Sequence, residues 1–214
     1  MDGPAAARRM DDNNERYRRA LRRFDDANAA DPNRTVVDGQ FVPDELLYAQ
    51  RMTAWLERLD PAASEPLRLA VRCQHLCRWM IPRSQYPMSR AGYHQWRTTL
   101  ARFHADEAAK ILRDVGYDEP TIARVQSLVR KEGLKTDPDA QTLEDVACLV
   151  FLEHEFSAFA RQHDEAKVVN ILARTWRKMS DRGHAAALGL QFSAENRVLV
   201  EKAVAAAGTA GPTA

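Results

Sequence analysis

From Pro138 to Phe156 the sequence PDAQTLEDVACLVFLEHEF carries apolar residues around most of the circumference of a helix. Such a helix has no face to give to water, so it belongs at the centre of a domain made of other helices. The rest of the chain agrees with this. Its hydrophobic periodicity is helical nearly throughout, and no run alternates convincingly as a strand does. The expectation is an all-α fold, a single-domain helical bundle of roughly eight to nine helices.

The helices can be placed from their ends. Tyr17, Ala20, Leu21 and Phe24 recur at helical spacing over about 13–28, before AADPN closes the segment. Pro43 stands at a first helical position, and Leu46, Leu47, Met52, Trp55 and Leu59 give the helix after it a broad apolar face. Ser64 caps a third helix, expected to run through RLAVRCQHLCRW to about Trp79. IPRSQYPMSRAGY follows as an ordered loop, since its two prolines forbid a continuous helix. A long helix over 90–115 ends at Gly116, and Asp118 with Pro120 starts another through Lys131. Segments 164–178, 182–190 and a Ser193-capped helix to about 207 complete the chain. The domain is expected over 13–207, with flexible segments at 1–12 and 208–214.

Composition narrows the function class. The 214 residues are 45% hydrophobic and 29% charged with 9 Gly, the balance of a soluble globular protein. A net charge of +1 supplies no global field to attract nucleic acid, so no nucleic-acid partner is expected. The start, MDGPAAARRMDDNNERY, has no signal-peptide core, and no run approaches the roughly 20 apolar residues of a membrane span. Three cysteines do not make a secreted disulfide framework. Together these point to a cytoplasmic protein without a membrane partner.

Ionisable side chains on apolar helices are the informative ones, because burial is costly without a partner. They are Glu45, the adjacent Gln74 and His75, His104, and the pair Glu144 and Asp145. Their order and spacing resemble the HD-domain superfamily of all-helical, metal-dependent phosphohydrolases. HADEAAKILRDVGYDEPTIARVQSLV is similar to the superfamily's histidine-bearing helix pair, and DPDAQTLEDVACLVFLE to the segment with its last aspartate. The resemblance implies an HD-like core with Glu45, His75, His104 and Asp145 as metal ligands. Gln74 stands where the superfamily has the histidine of its His-Asp pair and His75 where it has the aspartate, and Glu45 stands in place of the first histidine. Two imidazoles with carboxylates suit Zn, Fe or Mn and leave a position open for water or substrate. Gln74 and Glu144 would position that water. The alternative for each histidine is a hydrogen-bonded core side chain.

From about 14 to 205 the chain also resembles a family of uncharacterised bacterial and fungal proteins, a domain of unknown function, through FDDANAADPN, ELLYAQRM, RCQHLCRW, IPRSQYPMSRAGYHQWR, LEDVACLVFL, HDEAK and TWRKMSDRGHAAAL. Some members carry an automatic glutamyl-tRNA synthetase label. Lys178, Met179 and Ser180 are similar to the start of a class I synthetase loop, but the strands and the histidine motif of that class are missing. The chain is therefore not read as a tRNA synthetase.

Arg72, Arg78, Arg83, Arg90 and Arg97 are interleaved with Tyr86, Tyr93 and Trp96 around the loop. Guanidinium groups form paired bonds to phosphate and aromatic rings stack, so these residues are candidates for binding a small anionic molecule. The other reading is a salt-bridged helix end. Cys73 and Cys77 are expected on one helical face as small buried side chains, and Asp164 and Glu165 of HDEAK at a helix start. The function expected is a metal-dependent hydrolase of a small phosphorylated or nucleotide-like compound, for which a homodimer is compatible. An iron-dependent oxygenase on the same scaffold and a metal-free ligand-binding or interaction protein are the alternatives.

Overall fold

The computed structural model describes residues 3–134 and 136–209. The ends of the expected flexible segments, 1–2 and 210–214, lie outside the described residues. The fold is mainly helical, as expected, with ten α-helices among the described residues and one two-stranded sheet. No helix among them is long and apolar enough to cross a membrane.

The residues fall into two compact units. The first runs through Ala54 and resumes over Ala62–Gly133. It holds α1 (Gly3–Ala29), the hairpin β1 (Arg34–Val37) and β2 (Gln40–Pro43), and most of α2 (Asp44–Leu59). It also holds α3 (Glu65–Cys73), α4 (Arg90–Asp114) and α5 (Glu119–Val129). Helix α3 is the hub, packing on α1, α4 and α5. Its Leu67 and Leu69 have no exposed surface, nor do Phe24 of α1, Met52 of α2 and Ile122 of α5. Each such side chain contributes about 1.5–3 kcal/mol by leaving water.

The hairpin corrects the expectation of no strand. Asp38 and Gly39 both have positive φ, 49° and 77°, the backbone of a tight two-residue turn. Val36 pairs with Phe41 across it, and both are mostly exposed. Pro43, expected at a first helical position, closes β2 instead, and α2 begins at Asp44.

A second correction concerns the third helix. It ends at Cys73, not near Trp79, and Gln74 to Cys77 form a turn before a short 3-10 segment at Arg78–Met80. Cys77 adopts the left-handed conformation, φ 54°, and its N–H donates to Asn28 Oδ1 at 3.0 Å. Cys73 and Cys77 therefore do not share a helical face. Gln74 and His75 are carried by this turn, a connection held by its own bonds.

The second unit comprises Trp55–Pro61 and the chain from Leu134 onward. It contains α6 (Pro138–Val150), α7 (Phe156–Arg161), α8 (Glu165–Trp176), α9 (Asp181–Leu188) and α10 (Ala194–Thr209). Between α6 and α7, Phe151–Glu155 is a π-helical turn, with the Phe156 N–H donating to the Phe151 carbonyl five residues back. Helix α6 is the buried helix expected from its composition: Leu143, Val146, Leu149 and Val150 have no exposed surface.

Asp145 ties α6 to the start of α9. Its Oδ1 accepts from the Ser180 N–H at 2.8 Å and from Gln141 Nε2 at 3.0 Å, and its Oδ2 accepts from Ser180 Oγ. Ser180 in turn caps α9 by accepting from the Gly183 N–H at 3.2 Å. A Cβ at Gly183 would lie 2.8 Å from the Asp145 carboxyl group, closer than any real Cβ contact. That carboxyl is held on both oxygens and has no room to yield. Gly183→Ala should therefore cost about 2 kcal/mol through overpacking, read as a lower urea midpoint at unchanged slope. A change below roughly 0.5 kcal/mol would mean that the two helices separate without strain.

Candidate functional site

In the first unit, a cavity of about 290 Å³ opens between α4, the turn after α3 and the end of α5. On α4, Arg97, Ala101 and His104 are spaced by four and three residues, so one face of the helix presents all three to the cavity. The turn after α3 brings Gln74 and His75. Val129 and the two residues after α5, Arg130 and Lys131, close the far side. Lys131 takes the left-handed conformation, φ 58°, as the chain leaves the helix.

The inner wall is polar and uncharged. His104 is 3% exposed, and its Nδ1 lies 2.7 Å from the Leu76 carbonyl oxygen. A carbonyl can only accept, so the ring proton sits on Nδ1 and Nε2 presents a bare lone pair. That Nε2 is buried and meets no hydrogen-bond partner among the described residues, and the same holds for Oε1 of Gln74, 4% exposed. Two unmet buried acceptors each cost about 1–3 kcal/mol, a cost that a bound ligand or solvent would relieve.

His75 stacks on Tyr48 with ring centroids 4.1 Å apart and planes 11° from parallel, and its centroid is 5.8 Å from that of His104. Its Nδ1 lies 3.4 Å from Arg78 Nη1 and 3.5 Å from Glu45 Oε2. A guanidinium only donates, so Nδ1 is the acceptor in the bond to Arg78. Burial pulls the His75 pKa well below its usual value, and the positive charges of Arg78, Arg97 and Lys131 act in the same direction. For His104 burial is again the largest cause; the bond to Leu76 opposes it, and the pKa falls to about 4. Both rings are neutral at pH 7.

This has a consequence for stability. The unfolded chain takes up a proton on His104 near its ordinary pKa of 6.5, whereas the folded chain does so only near 4. Its contribution is complete above pH 6.5 and is lost as the pH falls towards 4, with about 2 kcal/mol gone at pH 5. Urea titrations at pH 7 and pH 5 should show the loss, and His104→Gln should reduce it. A loss of the same size in His104→Gln would assign it to other groups.

The other residues singled out from the sequence sit as follows. Glu45 joins His75 and His104 in the first unit. Glu144 and Asp145 belong to the second unit, where Glu144 pairs with Lys178 Nζ at 3.3 Å and Asp145 makes the bonds described above. Arg72 is engaged by Asp25 Oδ1 and Oδ2, both at 2.7 Å, and by Thr53. Arg83 holds the loop together by donating to the carbonyls of Tyr86 and Pro87 at 2.9 and 2.7 Å. Arg78 lies over the Trp96 ring at 5.3 Å, and Trp96 Nε1 donates to the Ile81 carbonyl. Tyr86 is half-buried, while Arg90 and Tyr93 are exposed. Of the arginines and aromatics expected to bind a ligand, Arg97 alone lines the cavity. Arg102, Arg130 and Lys131 were not among them. Arg102 lines the same cavity as Arg97, five residues further along α4, and the basic pair of VRKEGL follows α5 directly.

No group of three or more His, Cys, Asp or Glu side chains among the described residues is placed to hold a metal ion. A family model described as a domain of unknown function (DUF4202) matches residues 18–200. No curated protein and no solved structure matches the chain.

Proposed function

The chain belongs to the family described as a domain of unknown function (DUF4202), and we propose that its first unit binds a small phosphorylated compound in the cavity beside His104. The observation that carries this reading is a pair of buried, unpartnered acceptors on a wall whose other side is cationic, with Arg97, Arg102, Arg130 and Lys131 lining one space. Guanidinium and ammonium groups attract phosphate. Arg130 is also paired with Glu132 at 2.9 Å. Cys73, Cys77 and Cys148 are thiols rather than disulfides, which suits a reducing compartment and supports a cytoplasmic location.

The metal-dependent hydrolysis implied by the HD-domain resemblance needs a donor set that the described residues do not gather. Asp145, the carboxylate that the resemblance would recruit, already accepts on both oxygens. Binding therefore stands as the function proposed, and an iron-dependent oxygenase meets the same difficulty.

Calorimetric titration with inorganic phosphate and glycerol 3-phosphate tests the reading. Glycerol 3-phosphate should bind, and its affinity should fall at least tenfold in the double variant Arg97→Ala, Lys131→Ala, a loss of about 1.4 kcal/mol. Binding should also weaken as salt rises. Absence of binding by every phosphate compound would overturn it. So would near-stoichiometric metal in the purified protein that is lost in both His75→Ala and His104→Ala, which would restore the hydrolase.

A further inference from the structure

We infer that the ligand is a phosphorylated polyol or small sugar, held with its hydroxyls inward against His104 and Gln74 and its phosphate outward among the cations. This rests on the reading that the cavity binds a phosphorylated compound, and it goes further by fixing the chemistry of the ligand's inner end.

The direction follows from the tautomer. The Leu76 carbonyl claims the Nδ1 proton of His104, so Nε2 accepts, and Gln74 presents its amide oxygen, a second acceptor. A phosphate oxygen, a carboxylate or a ring carbonyl turned towards these atoms would set lone pair against lone pair. The inner end of the ligand must donate. An ammonium group would donate, but the positive charges of Arg78 and Arg97, which act on both histidines, repel it. Hydroxyls donate without charge, and each can rotate its proton to whichever acceptor it meets. Leu100, Ala101 and Val129 supply an apolar wall for the carbon chain between the two ends.

Size agrees with this chemistry. The cavity of about 290 Å³ has the volume of roughly ten waters at about 30 Å³ each. That accommodates a triose to hexose phosphate.

The test compares four probes on the full chain by calorimetry: glycerol 3-phosphate, propyl phosphate, 2-aminoethyl phosphate and inorganic phosphate. Propyl phosphate keeps the charge and the carbon chain of the first but lacks both hydroxyls. Glycerol 3-phosphate should bind at least tenfold tighter than propyl phosphate and than 2-aminoethyl phosphate. Gln74→Leu, which removes one acceptor at nearly constant volume, should shrink the advantage over propyl phosphate to about threefold or less. His104→Phe should do the same, with the fold of each variant checked by circular dichroism. Equal binding of glycerol 3-phosphate and propyl phosphate, or tightest binding of 2-aminoethyl phosphate, would overturn the inference while leaving phosphate binding intact. If none of the four binds, the reading of the cavity fails, and the inference with it.

Discussion

Replacing Asp145 by Ala is expected to destabilise the second unit by about 4 kcal/mol, the largest effect of any substitution considered for this chain. The carboxylate has no exposed surface, and the residues that donate to it, Gln141 and Ser180, are half-buried. Removing it strands the Ser180 N–H, the Ser180 hydroxyl and one Gln141 N–H, and frees the residue that caps α9. Asn at the same position keeps one accepting oxygen but places an amide N–H₂ against a donor, so about half of the loss should persist. Urea unfolding at pH 7 reads both variants. A loss below roughly 1 kcal/mol for Asp145→Ala would show that water satisfies the stranded groups. The same pair of variants bears on function. Unchanged stability together with lost metal or lost turnover would give Asp145 the ligand role implied by the HD-domain resemblance.

The second large effect is expected at Arg72. Its Nε and Nη2 meet the two oxygens of Asp25 at 2.7 Å each, and Nη1 reaches the Thr53 hydroxyl at 3.1 Å. The arginine side chain is 12% exposed and the aspartate 32%, so solvent screens the pair only in part. Arg72→Ala should cost about 3 kcal/mol, since it also leaves Asp25 without its partner. Arg72→Lys should recover less than half, because an ammonium group cannot match two oxygens in a plane. A double-mutant cycle with Asp25→Ala should return a coupling of about 1–2 kcal/mol. Affinity for glycerol 3-phosphate, measured on the folded fraction, should not change. A drop in affinity with intact stability would return Arg72 to the binding site.

The helices were legible because their signals are local. The caps at Ser64, Asp118 and Asp164 accept from the backbone three residues on, as the sequence pattern leads one to expect. The hairpin was missed because each strand is four residues long, too short for alternation to register. Its Asp-Gly pair, flanked by Val36, Val37 and Phe41, was the available signal. The early end of α3 could not be read at all. Leu76 and Trp79 continue its apolar spacing, and what turns the chain at Cys77 is a side chain of α1, Asn28, 49 positions away. The site divides along the same line. Glu45, His75 and His104 were found because each is a polar residue in an apolar pattern, and Arg97 because it belongs to the arginines interleaved with aromatics around the loop. Arg102, Arg130 and Lys131 looked like ordinary surface charge, since only the packing of α4 against α5 gives them a shared space. The partner of Asp145 is Ser180, 35 residues on, a pairing that no helical period encodes.

The π-helical turn at Phe151–Glu155 bears on how relatives of this chain should be aligned. Closing bonds five residues apart instead of four inserts one residue into the run from α6 to α7. One residue is about 100° of rotation at 3.6 residues per turn. Phe156, which has no exposed surface here, would swing to a different side of the helix in a relative whose run is uninterrupted. Such a relative needs a single-position gap within FLEHE to bring its inward-facing residues back into phase. A gapless alignment would compare core positions with surface ones for the rest of that helix.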